Sequence, residues 1–331
     1  AMPIRVLIDS DVVGNVAVRV PGGSLESPQV FEVEFDQPAA AVPWEERPLR
    51  DARQFHDAGR AIGEQLLPLI DEPLAETMFR FADDRCLEGA NLGQTFARMR
   101  HQLERSWGLK TLEVPLSLLC QSDTFRWFVA ALILRLPDVH ASCNKALAEY
   151  RVLHRLRSPS HPMPDLKQDG ARFEAPFWVW THEHPQRRAL FAEPSADCWR
   201  LSDGEGWQFS LPGVNENDLG ATVQALTQLE EAGIKIRPRA LTTTMYLRLF
   251  LSDYFVHGIG GAKYDQITDY VIEDIFDIQP PAFLTATGTR LLPLALPKET
   301  GPSLSEIDRL LRDWEFHPEK SLPDNLTAEQ Q

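Results

Sequence analysis

Residues 3–12 read PIRVLIDSDV, a short apolar run of strand length that closes on two aspartates. A run of this length bounded by polar turn residues predicts a strand over 4–8, almost at the start of the chain. Open parallel sheets bind ligands outside the carboxyl ends of their strands, so the run predicts a parallel sheet with Asp9 and Asp11 facing a cleft. Two residues apart in extended chain, these carboxylates share a face. They are candidate catalytic groups, suited to a ribose, an amine or a Mg²⁺ ion. The plain alternative is a loop cap or a surface pair.

Working outward, VAVRVPGG and VFEVEFDQ alternate and are bounded by Gly and Pro, which predicts a small strand meander over 16–36. Residues 51–107 carry helical spacing, and Gly108 is a plausible stop. TLEVPLSLL reads as a short strand or loop, TFRWFVAALILRL as an apolar helix ended by Pro137, and ASCNKALAEYRVLHRL as a further helix before the loop SPSHPMPDL. From residue 172 the pattern changes. FEAPFWVW, DCWRLS and GWQFSLPG predict antiparallel strands over 173–180, 197–202 and 206–211. Helices return in DLGATVQALTQLEEAG and TTTMYLRLFLSDYFVHG, and AKYDQITDYVIEDIF is the last firm one. A charged helix and a frayed tail, DNLTAEQQ, close the chain. The composition shift at 158–172 divides it into 2–165, 166–300 and 301–331.

The balance of apolar (43%) and charged (24%) residues is that of a globular chain able to bury a core. A net charge of −15 argues against nucleic acid and anionic membrane as partners, and leaves a small anionic or amino-acid-like ligand if basic residues converge locally. Cys86, Cys120, Cys143 and Cys198 show no paired spacing, which fits reduced thiols in a cytoplasmic protein. There is no apolar run of membrane-spanning length and no leader pattern at the start.

HGIGGAKYD, residues 257–265, gathers more chemistry than a corner needs. The apolar spacing of Tyr264, Ile267, Val271, Ile272 and Ile275 predicts a helix beginning near Lys263, with Gly258, Gly260 and Gly261 at its amino end. Unpaired N–H groups, the positive helix end and Lys263 would cradle a phosphate or carboxylate, with His257, Tyr264 and Asp265 beside it. Only seven of the 33 basic residues are lysines, which singles out Lys263. Alternatively Gly258 stops the preceding helix in a left-handed turn, and Gly260 and Gly261 turn a tight helix-helix corner. Upstream, IRPRALTTT carries Arg237 and Arg239, of which one is expected to reach the ligand. His182 and His184 in THEH lack an identifiable third ligand, and no metal site is assigned.

Together these residues resemble the later part of the cysteine-adding ligase family of bacillithiol synthesis. That family carries an Arg-Pro segment, an apolar stretch and a V-G-G-P-G-E-x-x-Y loop, beside which stand Arg237-Pro238 and Val256, Gly258, Gly260 and Tyr264 of VHGIGGAKY. VLIDSDV resembles the family's acidic strand, with Asp9 and Asp11 at the acidic positions, and NKALAEYR resembles its asparagine-bearing helix, with Asn144 as the asparagine. Gly261 replaces the family's glutamate, His257 and Lys263 are additions, and the glutamine- and glycine-rich loop that precedes the acidic strand has no counterpart. The resemblance implies an α/β fold with a Rossmann-like core, incomplete at its amino end, joined to a helical segment and an antiparallel strand element. It implies a ligase-like enzyme joining an amino-acid-like carboxylate to an amine, with ATP or ADP and Mg²⁺ as an assisting nucleotide. The alternative is a noncatalytic module, or one completed by a partner chain or a second copy, that binds a nucleotide or acidic metabolite. In a purely structural protein the glycine corner would be dry and buried.

Overall fold

The computed structural model describes residues 2–25, 27–82, 91–213, 217, 219–291, 301–302 and 304–317. The strand predicted in PIRVLIDSDV forms as β1 (Ile4–Leu7) and pairs in parallel with β4 (Leu112–Pro115), Ile4 opposite Leu112. This sheet has two strands. The Asp9 N–H turns back to the Leu7 carbonyl at 3.0 Å, so extended chain ends at Leu7. Asp9 and Asp11 therefore diverge instead of sharing a face.

A first core follows directly. β2 (Ala17–Gly23) and β3 (Pro28–Glu34) form the predicted antiparallel hairpin. α1 (Ala52–Leu66) packs on it, then α2 (Ala75–Arg80) and α3 (Leu92–Ser106) follow. The Asp51 carboxylate accepts from Gln54 N at 2.8 Å and Asn91 Oδ1 from Gln94 N at 2.7 Å, satisfying amides at the starts of α1 and α3. Phe35, Phe55, Phe79 and Phe96 meet mainly edge to face, with Phe35 and Phe96 centroids 5.1 Å apart. α1 comes this close to α2 because residue 59 is glycine: a Cβ there would lie 2.4 Å from the Phe79 Cβ.

The second core is larger. After β4 come α4 (Leu116–Leu119), α5 (Asp123–Leu134) and α6 (Leu136–Leu153). Pro137 does not end α5. It sits in the first turn of α6, where a missing N–H costs nothing. β5 (Gln168–Asp169), β6 (Arg172–Thr181), β7 (Arg188–Pro194), β8 (Cys198–Ser202) and β9 (Gln208–Pro212) then form an antiparallel sheet, as the aromatic alternation predicts. α7 (Leu219–Glu231) leads to β10 (Ile234–Pro238), which joins the far edge to give the order β10-β6-β7-β8-β9, with β5 also on β6. Phe125, Phe128, Phe177, Leu190, Leu226 and Ile272 lie in one buried cluster, to which residues on both sides of 158–172 contribute. Each such side chain contributes about 1.5–3 kcal/mol by leaving water.

The predicted helix over 242–258 is interrupted. α8 (Ala240–Tyr246) passes into a wide turn over Leu247–Leu251, and Ser252 is extended at φ −121° and ψ 130°. β11 (Phe255–Gly258) follows, paired in parallel with β12 (Phe283–Ala286), and α9 (Ile259–Phe276) crosses between them. Backbone pairing with residues almost thirty positions later, invisible to local spacing, takes VHG out of the helix. α9 also starts at Ile259 rather than near Lys263, so Gly260 and Gly261 are inside its first turn. The charged helix forms as α10 (Leu304–Phe316), while the tail DNLTAEQQ, Cys86, Lys298 and Lys320 lie outside the described residues.

The fold is therefore mixed α/β. Among the described residues the largest sheet is antiparallel, and parallel pairing is confined to β1–β4 and β11–β12. The two cores are fastened by charge. Trp44–Glu46, a single 3-10 turn, places Glu45 against Arg237 and Glu46 against Trp180 Nε1 (2.8 Å) and Lys235.

Candidate ligand site

Where β1 ends, α6, β6, β10, α8 and α9 leave a cavity of about 350 Å³, within the usual size of a small-molecule site. Asp11 and Arg239 line it, one from the acidic turn and one from the Arg-Pro segment. So do Asn144 of α6 and Ile267, Thr268 and Val271 of α9. Residues that the sequence scatters from 11 to 271 thus meet in one place.

Arg239 leaves β10 as the cap residue of α8. Its Nη2 donates to Glu174 Oε1 at 2.5 Å, and its guanidinium lies 4.1 Å from the centre of the Trp178 ring. Glu174 Oε2 accepts from Lys167 N at 2.9 Å, which holds that carboxylate in place. Arg239 Nε is buried and has no hydrogen-bond partner. Burial lowers the Arg239 pKa from its ordinary value, against the opposing pull of Glu174. Arg187, absent from the sequence reading, lies 4.5 Å from the same ring and donates through Nη1 to Asp11 Oδ1 at 3.0 Å and to the Ser10 carbonyl. Its adjacent basic neighbour in PQRRAL was the available signal. Glu174 and Trp178 were visible only as strand alternation.

The other expected residues lie elsewhere or have other work. Asp9 accepts from Ser117 N at 2.9 Å and from Ser117 Oγ at 2.5 Å, so it caps the turn after β4. Asn144 donates Nδ2 to the Leu166 carbonyl and accepts from Leu166 N at 2.8 Å, so it pins the loop beside the cavity and spends its amide there. Arg151 fixes the same loop through the carbonyls of Pro159, His161 and Met163 and through Asp165. Arg237 is 2% exposed and forks onto Glu45, Nε to Oε1 at 2.9 Å and Nη2 to Oε2 at 3.0 Å. Of the two arginines, only Arg239 faces the cavity.

HGIGGAKYD is split between interior and solvent. Gly258, Gly260 and Gly261 are exposed, Gly258 caps α9 at φ −71° and ψ 155°, and no side chain caps the helix. Neither a left-handed stop nor a helix-helix corner describes it. Asp265 is buried and accepts from Arg248 Nη1 (2.8 Å), Thr244 Oγ1 (2.8 Å) and His257 Nε2 (3.1 Å). A carboxylate accepts, so His257 donates through Nε2 and turns Nδ1 toward Gly261. A Cβ at 261 would lie 2.5 Å from that Nδ1, so only glycine leaves the ring its place. Lys263 is exposed, and the Tyr264 ring meets Tyr150 and His161. With its open amides and the exposed Lys263, this corner has the groups to hold a phosphate. Among the described residues no group of three or more His, Cys, Asp or Glu is arranged to hold a metal ion.

Cys143 also lines the cavity, and burial pushes its thiol up to about 12. Thiolate, not thiol, is the nucleophile. At about pH 8 iodoacetamide is expected to leave Cys143 unmodified in the native chain and to alkylate it in urea. Peptide mass spectrometry checks this, and native alkylation as fast as in urea would contradict it. Among the described residues no helix is long and apolar enough to cross a membrane. A scan against protein-family models and a search of curated proteins each find no match to this chain.

Proposed function

We propose that this chain is a ligase-like cytoplasmic enzyme whose cavity takes an amino-acid-like carboxylate and whose reaction joins it to the amine of a small metabolite. The observation that carries the reading is the convergence of Asp11, Arg239 and α9 on one cavity. Arg239 and Arg187 supply carboxylate-binding forks, and Asp11, two-thirds exposed, is placed to orient or deprotonate an incoming amine. α9 ties the cavity to the glycine corner. Gly261 and Thr268 are seven residues apart on one helix, about 10 Å along its axis. A nucleotide phosphate held by Lys263 and the amides of residues 258–261 would thus lie on the helix that also lines the cavity.

The amine nitrogen bonds to the carboxyl carbon and loses its extra protons, and one carboxylate oxygen departs, either with two of those protons as water or, with ATP, as inorganic phosphate while the terminal phosphoanhydride breaks to leave ADP. Incubation with ATP, Mg²⁺ and pooled amino acids and amines should yield a mass equal to acid plus amine less one water, lost in Arg239→Ala. The second reading is a noncatalytic or partner-completed binding module. Two observations favour it: Asp9 and Asp11 are already engaged, and the register partners Ile4 and Leu112 of the two-stranded β1–β4 sheet are both exposed. Saturable binding without any condensation product, for every acid and amine supplied, would replace the first reading by the second.

A further inference from the structure

Resting on the reading of the cavity as the ligand site, we infer that its ligand is a monocarboxylate with an apolar body, of the size of phenylalanine or a short aryl acid, and not a polyanion. The charged groups of the lining, Asp11, Arg187 and Arg239, meet at one place, and the Asn144 amide among the others is spent on Leu166. Arg187 and Arg239 flank Trp178 there, each tied to one carboxylate, Asp11 and Glu174. Two positive and two negative side chains leave this end neutral. One further negative charge can be met by the guanidinium nitrogens of Arg187 and Arg239 that Asp11, Ser10 and Glu174 leave unused. A second or third charge would lie beside the Asp11 and Glu174 carboxylates with no further cation among the described lining residues to meet it, and like charges repel.

The rest of the cavity offers no counter-charge. Leu132, Val139, Leu147, Met245, Ile267 and Val271 line it, and the Cys143 thiol among them stays protonated. Such a wall rewards a ligand in proportion to the apolar area it buries. A ligand with its carboxylate on Arg239 and its body between α6 and α9 uses both halves, whereas phosphate, acetate or succinate uses one.

Isothermal titration of the full chain with 3-phenylpropionate, L-phenylalanine, acetate, succinate, inorganic phosphate and ADP tests this. The two aryl acids should bind at least about tenfold more tightly than acetate or succinate. Arg239→Lys keeps the charge but loses the fork, and should weaken both aryl acids by about tenfold or more. Cys143→Phe fills the apolar end without touching a charged group, and should reduce aryl-acid binding to the level of acetate, with circular dichroism confirming that the variant is folded. Tighter binding of succinate, phosphate or ADP that falls in Arg239→Lys would overturn the ligand class while leaving the cavity as the site. Binding of every probe that is indifferent to both variants would overturn the site as well.

Discussion

Asp265→Ala is expected to cost about 3–5 kcal/mol of folding stability, because it strands the buried Arg248 guanidinium. Both side chains are 1% exposed and bond at 2.8 Å. Asp269, partly exposed, still shares the charge through Nη2 and the Pro281 carbonyl accepts from Nε, but Nη1 is left without its acceptor inside the core. His257 loses its acceptor in the same step, while Thr244 can still donate to the Leu241 carbonyl at 3.0 Å. The double variant Asp265→Leu/Arg248→Met removes both charges and should recover a large part of the loss, since a missing pair is cheaper than a broken one. Urea denaturation of the two single variants and the double measures this. A single-variant loss below about 1 kcal/mol would show that the network contributes no more than a surface pair.

Arg237→Met is expected to cost a similar amount, about 3–5 kcal/mol at neutral pH, and its cost should depend on pH. Burial already raises the Glu45 pKa, against the pull of Arg237. Removing Arg237 raises it further. A carboxyl whose folded-state pKa lies above its unfolded value binds a proton more tightly when folded, so stability falls as pH rises through that interval. The penalty should therefore be largest at neutral pH and shrink on acidification, as Glu45 takes up a proton and stops being a buried charge. Urea midpoints of variant and parent across the acidic range test the sign. A penalty that stays constant or grows on acidification would mean that Glu45 is not the group left exposed to the loss.

What could be read from the sequence was what neighbouring residues decide. Alternation in FEAPFWVW predicts β6 because a strand turns successive side chains to opposite faces, and the same logic yields the hairpin over 17–34. Apolar spacing finds α9, though its first turn lies earlier than Tyr264 suggests, because exposed glycines carry no side chain to mark a face. What escaped depends on distant partners. VHG leaves the helix to pair with residues 283–286, and Asp9 turns away from Asp11 to reach Ser117. Of the expected site residues, Asp11 and Arg239 meet at the cavity, Asn144 supports its loop, and His257 with the glycines forms a separate corner. Arg187 and Trp178 escaped notice because their stack joins a loop residue to a strand residue nine positions away, which no local motif marks.

The buried arginines change how the molecule looks from a distance. Arg47 with Asp36, Arg237 with Glu45 and Arg248 with Asp265 are each neutral pairs, so the excess of fifteen negative charges lies outside them. On the proposed reading of the cavity, an anionic ligand would approach through a repulsive field and meet attraction only close to Arg187 and Arg239. Such a field slows encounter without weakening the contacts made after it. Added salt shortens the range of the repulsion, and the association rate rises with ionic strength, opposite to the usual behaviour of proteins that steer their ligands in.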